Sequence, residues 1–67
     1  MQLLFNELPV ELEEGSHLED LLTDRAVDAG PGVAVAINCE VVPRAQWGRT
    51  RLKANDEVLV VRATQGG

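Results

Sequence analysis

Helical spacing occurs in a single stretch of the sequence. Leu18, Leu21, Leu22, Ala26 and Ala29 recur at intervals of three and four, which gathers them on one face of an amphipathic helix. The other apolar residues fall into short β-type runs before and after it. One helix and several short strands leave one arrangement. The helix covers one face of a single mixed sheet, because no second layer is available. At 67 residues the chain is one small domain, which buries only about 60% of its unfolded surface.

The order of elements follows from local signals. Gln2 to Phe5 alternates, with Leu3 and Phe5 on one face, and Asn6-Glu7 can turn the chain. Val10 and Leu12 alternate with Glu11 and Glu13, giving a second strand with one wet face. Pro9 cannot donate to a ladder, so it belongs at a strand start or edge. Gly15-Ser16 stops the sheet. Ser16 with Glu19 forms an S-x-x-E capping box, Glu19 and Asp20 favour the first turn electrostatically, and Gly30-Pro31-Gly32 ends the helix. Val33 to Asn38 reads as a strand, Cys39-Glu40 as a turn and Val41-Val42 as a brief strand closed by Pro43. Pro43 to Arg51 suits a loop with one helical turn, and Leu52 begins a short extended piece. After a turn at Asn55-Asp56, Glu57 to Arg62 is the most β-prone run of the chain. It is apolar on both faces, through Val58 and Val60 and through Leu59 and Val61, and is expected to be a central strand. The resulting order, β-β-α-β-β-β, is that of an α+β fold of β-grasp, or ubiquitin-like, architecture. Residues 1–62 form the domain, and residues 63–67 are expected to leave it as a flexible tail.

That tail ends in Gly66-Gly67. Without side chains it can enter a narrow channel backbone first and adapt to the cleft that receives it. Its α-carboxylate is unhindered and is the expected reacting group, activated in another protein's site. A domain this small has little room for a deep pocket of converging catalytic groups, so a carrier or binding module is favoured over an enzyme. The net charge of -5 argues against nucleic acid as a partner. No apolar run approaches the roughly 18 residues of a membrane span, and no signal-peptide pattern opens the chain. A single cysteine excludes an internal disulfide framework and a cysteine-based zinc cluster and fits a reducing compartment. The expected location is the cytoplasm.

Other residues invite a chemical reading and are better explained structurally. Cys39 lacks a sequence-local histidine or cationic cluster to activate it, so a packing or turn role is expected. His17 is the only histidine and lies beside the helix cap, without the partners a metal site needs. Glu11, Glu13 and Glu14 lack the ligand pattern of a calcium loop. Trp47 can close one edge of the small core or anchor an interface. Arg44, Arg49, Arg51 and Arg62 can serve solubility or meet an acidic partner. Gly15, Gly30 and Gly32 are turn and cap residues, not a phosphate-binding loop. No metal site and no bound cofactor are expected.

Several stretches together resemble the ThiS family, the sulfur carriers of thiamin biosynthesis. They are Met1-Gln-Leu-Leu-Phe-Asn6, Leu21-Leu22, Ala34-Val-Ala-Ile-Asn38, Val41-Val-Pro-Arg44 with Gln46-Trp47, Asn55-Asp56 and the terminal Gly66-Gly67. The resemblance spans the whole chain. Arg25 departs from it, standing where a bulky apolar helix residue is often found, with Ala26 expected to take over part of that packing. The resemblance implies a carrier and not an enzyme. A ThiF-like adenylating enzyme would use ATP and Mg to convert the Gly67 carboxylate to an acyl-adenylate, and sulfur from a cysteine desulfurase persulfide would displace AMP. The resulting thiocarboxylate would donate sulfur to a ThiG-like thiazole synthase. Gly67 would carry the reacting carboxyl and Gly66 would supply the slim approach.

Three rival readings share the tail. The molybdopterin synthase small subunit also ends in Gly-Gly on a β-grasp fold and donates sulfur, but this chain is short and its Val-Val-Pro-Arg and Gln-Trp elements fit the thiamin carrier better. A ubiquitin-like protein modifier would attach its last glycine to lysines of targets. A non-covalent β-grasp interaction module would not need the glycines at all.

Overall fold

In the computed structural model, which describes residues 1–28 and 30–62, the chain begins with a hairpin. β1 (Gln2–Phe5) and β2 (Leu8–Glu11) pair antiparallel, with Leu3 opposite Val10 and Leu4 opposite Pro9. The two residues between them are both left-handed, Asn6 at φ 49° and Glu7 at φ 71°, the signs of a type I′ turn, whose twist matches that of the strands it joins. β3 (Val33–Ile37) and β4 (Glu40–Val42) form a second hairpin on the same plan. It turns through Asn38 (φ 51°) and Cys39 (φ 70°), one residue earlier than the sequence suggests, because asparagine tolerates the left-handed region better than most side chains. β5 (Glu57–Arg62) runs between the hairpins, parallel to β1 and antiparallel to β3, and completes a five-stranded mixed sheet in the order β2-β1-β5-β3-β4. The central place expected for the last strand is therefore observed. Pro9 sits on an edge strand, where a missing donor is tolerated.

α1 (Leu18–Asp24) packs Leu18, Leu21 and Leu22 against Leu3, Val10, Val33, Val35 and Val58 of the sheet. Leu18 and Leu21 are completely buried, each contributing about 1.5–3 kcal/mol relative to an exposed side chain. A 3-10 helix at Arg44–Arg49 provides the helical turn expected after Pro43, and its Trp47 closes the core, 5% exposed.

The helix differs from its sequence pattern at both ends. The N-cap is His17, not Ser16: the His17 backbone N–H donates to the Asp20 carboxylate at 2.8 Å. Ser16 is engaged elsewhere, its hydroxyl donating to the Glu13 carbonyl at 2.7 Å and its carbonyl accepting from Leu52 N–H at 2.9 Å. At the other end α1 stops at Asp24, well before Gly30-Pro31-Gly32. Ala26 N–H bonds the Thr23 carbonyl (3.1 Å) and Val27 N–H the Leu22 carbonyl (2.9 Å), which is a Schellman motif with Ala26 in the left-handed position at φ 53°. Ala26 is exposed and takes over no packing; Val27 turns back onto the core instead. Ala29 lies outside the described residues.

One further expectation changes, and another is observed. Leu52 begins no strand. Arg51 forms an isolated bridge with His17, and Leu52 drops into the core at 2% exposure. β5 is central but covered on one face only. Val58 is buried, whereas Leu59 and Val61 are 46% and 53% exposed. Among the described residues no element lies over the second face, and the apolar residues there remain in contact with water.

Candidate functional site: the end of the central strand and the open sheet face

β5 is held on both sides. Leu4 and Phe5 align with Glu57 and Val58, and β3 pairs with β5 along the register from Ile37–Val58 to Val33–Arg62. Side-chain oxygens extend this: Asn6 Oδ1 accepts from Val60 N–H (2.8 Å) and Asn38 Oδ1 from Glu57 N–H (3.0 Å). β1 and Asn6 hold the strand as far as Val60, and β3 alone pairs with it up to Arg62, the last described residue. The segment that follows starts from a strand paired on both sides, at the centre of the sheet. Residues 63–67, the expected tail with the two glycines expected to function, Gly66 and Gly67, lie outside the described residues.

The open face flanks that exit. Register places Val41, Ala36 and Leu59 in one row across β4, β3 and β5, and Ala34 with Val61 in the next row toward Arg62. Val41 is 70% exposed. The small alanines between larger side chains keep this row low on β3 and let a partner approach. Glu57, Gln2 and Glu11 share the face's other side by strand alternation. The result is a short apolar strip with a polar flank, suited to covering by another protein.

The other residues singled out in the sequence take structural places. Cys39 is an exposed turn residue with a free thiol. His17 caps the helix, its Nδ1 3.7 Å from Asp20 Oδ2. Glu11 pairs with the Met1 ammonium at 3.2 Å. Among the described residues no three histidine, cysteine or acidic side chains gather as a metal site, and no helix is long and apolar enough to cross a membrane. Trp47 is a core residue whose Nε1–H donates to the Val42 carbonyl at 2.9 Å. Sequence reasoning missed two side chains. Asp56 is buried, and Arg44 reaches across to carbonyls of Gly30 and Val33. In the sequence Asp56 shows only as half of the Asn55-Asp56 turn; its carboxylate accepts from Lys53 N–H, three residues back, and from Asn38, across the sheet.

A mixed sheet grasping one helix, with a central strand that leads directly into the last segment and an uncovered apolar face beside it, defines a β-grasp protein of ubiquitin-like class. The ThiS family profile matches residues 2–67, and the chain belongs to that family. It is 33% identical over its full length to the full length of the sulfur carrier protein ThiS of Escherichia coli K12. The crystal structure of the thiamine biosynthesis protein ThiS from Geobacter metallireducens superposes with a TM-score of 0.86 at 29% identity, covering all of both chains. The solution structure of a Geobacter metallireducens thiamine biosynthesis protein gives 0.77 at 30% identity, covering all of this chain and 88% of the other.

Proposed function

We propose that this chain is a sulfur carrier for thiamin biosynthesis, a substrate of partner enzymes and not an enzyme itself, and that it holds sulfur as a thiocarboxylate on Gly67. The observation that carries the reading is the match to the ThiS family over residues 2–67, which includes both glycines. The fold is consistent with it: the described chain runs out through the central strand β5.

The chemistry explains why a carrier is needed. A carboxylate is a poor acceptor for sulfur because oxide is not a leaving group. In the site of a ThiF-like enzyme the Gly67 carboxylate attacks the α-phosphorus of Mg-bound ATP and expels pyrophosphate. A persulfide sulfur, supplied through a cysteine desulfurase, then attacks the acyl carbon and expels AMP. A thiol reductant cleaves the remaining sulfur–sulfur bond and leaves the thiocarboxylate, the nucleophile offered to a ThiG-like thiazole synthase. The folded domain supplies binding energy that holds the tail in reacting geometry, which free sulfide could not do. The strip formed by Val41, Leu59 and Val61 is the surface we assign to partner docking, and the setting is the cytoplasm.

Incubation with the adenylating enzyme, Mg-ATP and a sulfur donor tests this by intact mass. The reading requires the mass change of one oxygen replaced by sulfur. No change, or a change that persists after deletion of Gly67, would sink it. Rescue of a thiamin-requiring strain, with no rescue of a molybdenum-cofactor-deficient one, separates the thiamin pathway from the related sulfur-transfer route.

A further inference from the structure

The two edges of the sheet are not alike. Asn38 N–H donates to the Glu57 carbonyl at 2.9 Å, and bonding along an antiparallel strand alternates from side to side. Asn38 and Ala36 therefore bond toward β5, and Ile37 and Val35 toward β4. On β4, Glu40 and Val42 use their backbone groups on β3, so the N–H and C=O of Val41 point to the open edge. Among the described residues neither meets a partner. β2 follows the same plan, its alternation set by the Leu12 N–H bond to the Met1 carbonyl. Its second residue after the two-residue turn also points outward, and that residue is Pro9, which has no N–H to offer. One edge is blunted, and the other keeps a donor and an acceptor.

The free edge borders a groove of about 440 Å3. Its lining includes Glu40, Val41 and Val42 of β4 and, from the segment after the 3-10 helix, Thr50, Arg51 and Lys53. Leu52, 2% exposed, turns into the core, which turns its neighbours Arg51 and Lys53 outward on the same side of an extended stretch. Among the described residues neither cation has an ion-pair partner. Four of the chain's six basic residues lie between positions 44 and 53, so positive charge is gathered here. Of the two carboxylates on the lining, Asp56 is engaged by Asn38 and by Lys53 N–H, which leaves Glu40 alone against the two cations.

We infer that the β4 edge is a strand-addition site. An extended segment of the adenylating enzyme pairs with the Val41 backbone, and an acidic side chain of that segment enters the groove to meet Arg51 and Lys53. This rests on the sulfur-carrier reading and adds to it a mode of recognition. Main-chain bonds at a free sheet edge supply affinity, and a side-chain contact beside the edge supplies register. The site is continuous with the open face. The Val41 side chain lies in the apolar row with Ala36 and Leu59 while its backbone faces outward, so one partner can cover both. A chain of net charge -5 repels an acidic segment over most of its surface, so the two cations also select where that segment lands.

The test titrates the adenylating enzyme, without ATP, into the full chain and follows Kd and amide exchange at Val41. The variants are Val41→Pro, Val41→Thr and the pair Arg51→Glu with Lys53→Glu, each with its urea midpoint. Pro9 shows that proline fits this position of a hairpin strand, and at position 41 it removes only the outward N–H. Threonine keeps that N–H and the branched shape. Exchange at Val41 is expected to slow at least about tenfold in the complex. Val41→Pro should raise Kd about tenfold, the scale of one or two backbone bonds, and Val41→Thr less than half as much. The charge reversal should raise Kd and flatten its dependence on salt. A Val41 amide that exchanges as fast in the complex as in the free chain would overturn strand addition. So would a folded Val41→Pro whose Kd stays within about twofold of the unsubstituted chain. An equal loss with threonine and proline would overturn it in favour of contact through the side chain alone. If Val41→Pro does not fold, exchange at Val41 in the unsubstituted complex decides. An unsubstituted chain that binds no adenylating enzyme defeats the carrier reading itself, and the edge site with it.

Discussion

Asn38 Nδ2 donates to Asp56 Oδ1 at 3.1 Å, joining the turn between β3 and β4 to the residue just before β5. Both side chains are used twice. The other Asp56 oxygen accepts from Lys53 N–H at 2.8 Å, and Asn38 Oδ1 accepts from Glu57 N–H. Asp56 is only 7% exposed, and burial of a carboxylate is tolerable because these donors replace water. The pair locks the start of the strand whose far end delivers the last segment.

Removing one partner leaves the other without its bond. Asp56→Ala is expected to destabilise the domain by about 1.5–3 kcal/mol, as for hydrogen bonds to a charged group. Asn38→Ala, which loses two bonds from a more exposed site, is expected to cost about 1–2 kcal/mol. Urea unfolding followed by Trp47 emission measures both. The double substitution should cost less than the sum, because the shared bond is lost only once.

Ala26 occupies the left-handed position of the Schellman motif at φ 53°, where a β-carbon is unfavourable. Ala26→Gly is expected to stabilise the chain by about 0.5–1 kcal/mol, the reverse of the usual effect of placing glycine near a helix. A raised urea midpoint with an unchanged slope would bear this out, whereas a lowered midpoint would contradict the role assigned to that residue.

Leu59 and Val61 are left on the uncovered face. Leu59→Asp should change stability by less than about 1 kcal/mol, since the side chain is already hydrated. Its KM for the adenylating enzyme should rise at least about tenfold, the scale of losing one well-packed interface contact. Paired kinetics and unfolding curves separate this from misfolding. An unchanged KM would move the docking surface elsewhere.

How far the sequence could be read depended on the kind of force involved. Alternation in Gln2–Phe5 and the β-rich run Glu57–Arg62 gave the strands, because side-chain period is a local property. The central position of β5 was legible for the same reason. The helix ends were not. Ser16 carries the better capping side chain, but its carbonyl is drawn to Leu52, a contact thirty-six residues away that no local pattern contains. The apolar residues at 26 and 29 extended the helical spacing past Asp24, where the left-handed Ala26 ends it. The uncovered face of β5 follows from having one helix for one sheet, but which apolar residues it leaves in water depends on the register and is no local property. The roles of Arg44 and Asp56 depend on tertiary neighbours and were visible only as family-like motifs. Gly66 and Gly67, read as the chemical end from their lack of side chains, lie outside the described residues.

The most direct measurement locates the sulfur. After reaction with the adenylating enzyme, Mg-ATP and a sulfur donor, trypsin should cleave behind Arg62 and release residues 63–67 as one peptide. Tandem mass spectrometry of that peptide is expected to show sulfur in place of one oxygen on the Gly67 carboxyl and nowhere else in the chain. Sulfur found instead on Cys39, or a terminal peptide that stays a carboxylate under conditions where the donor is consumed, would contradict the account.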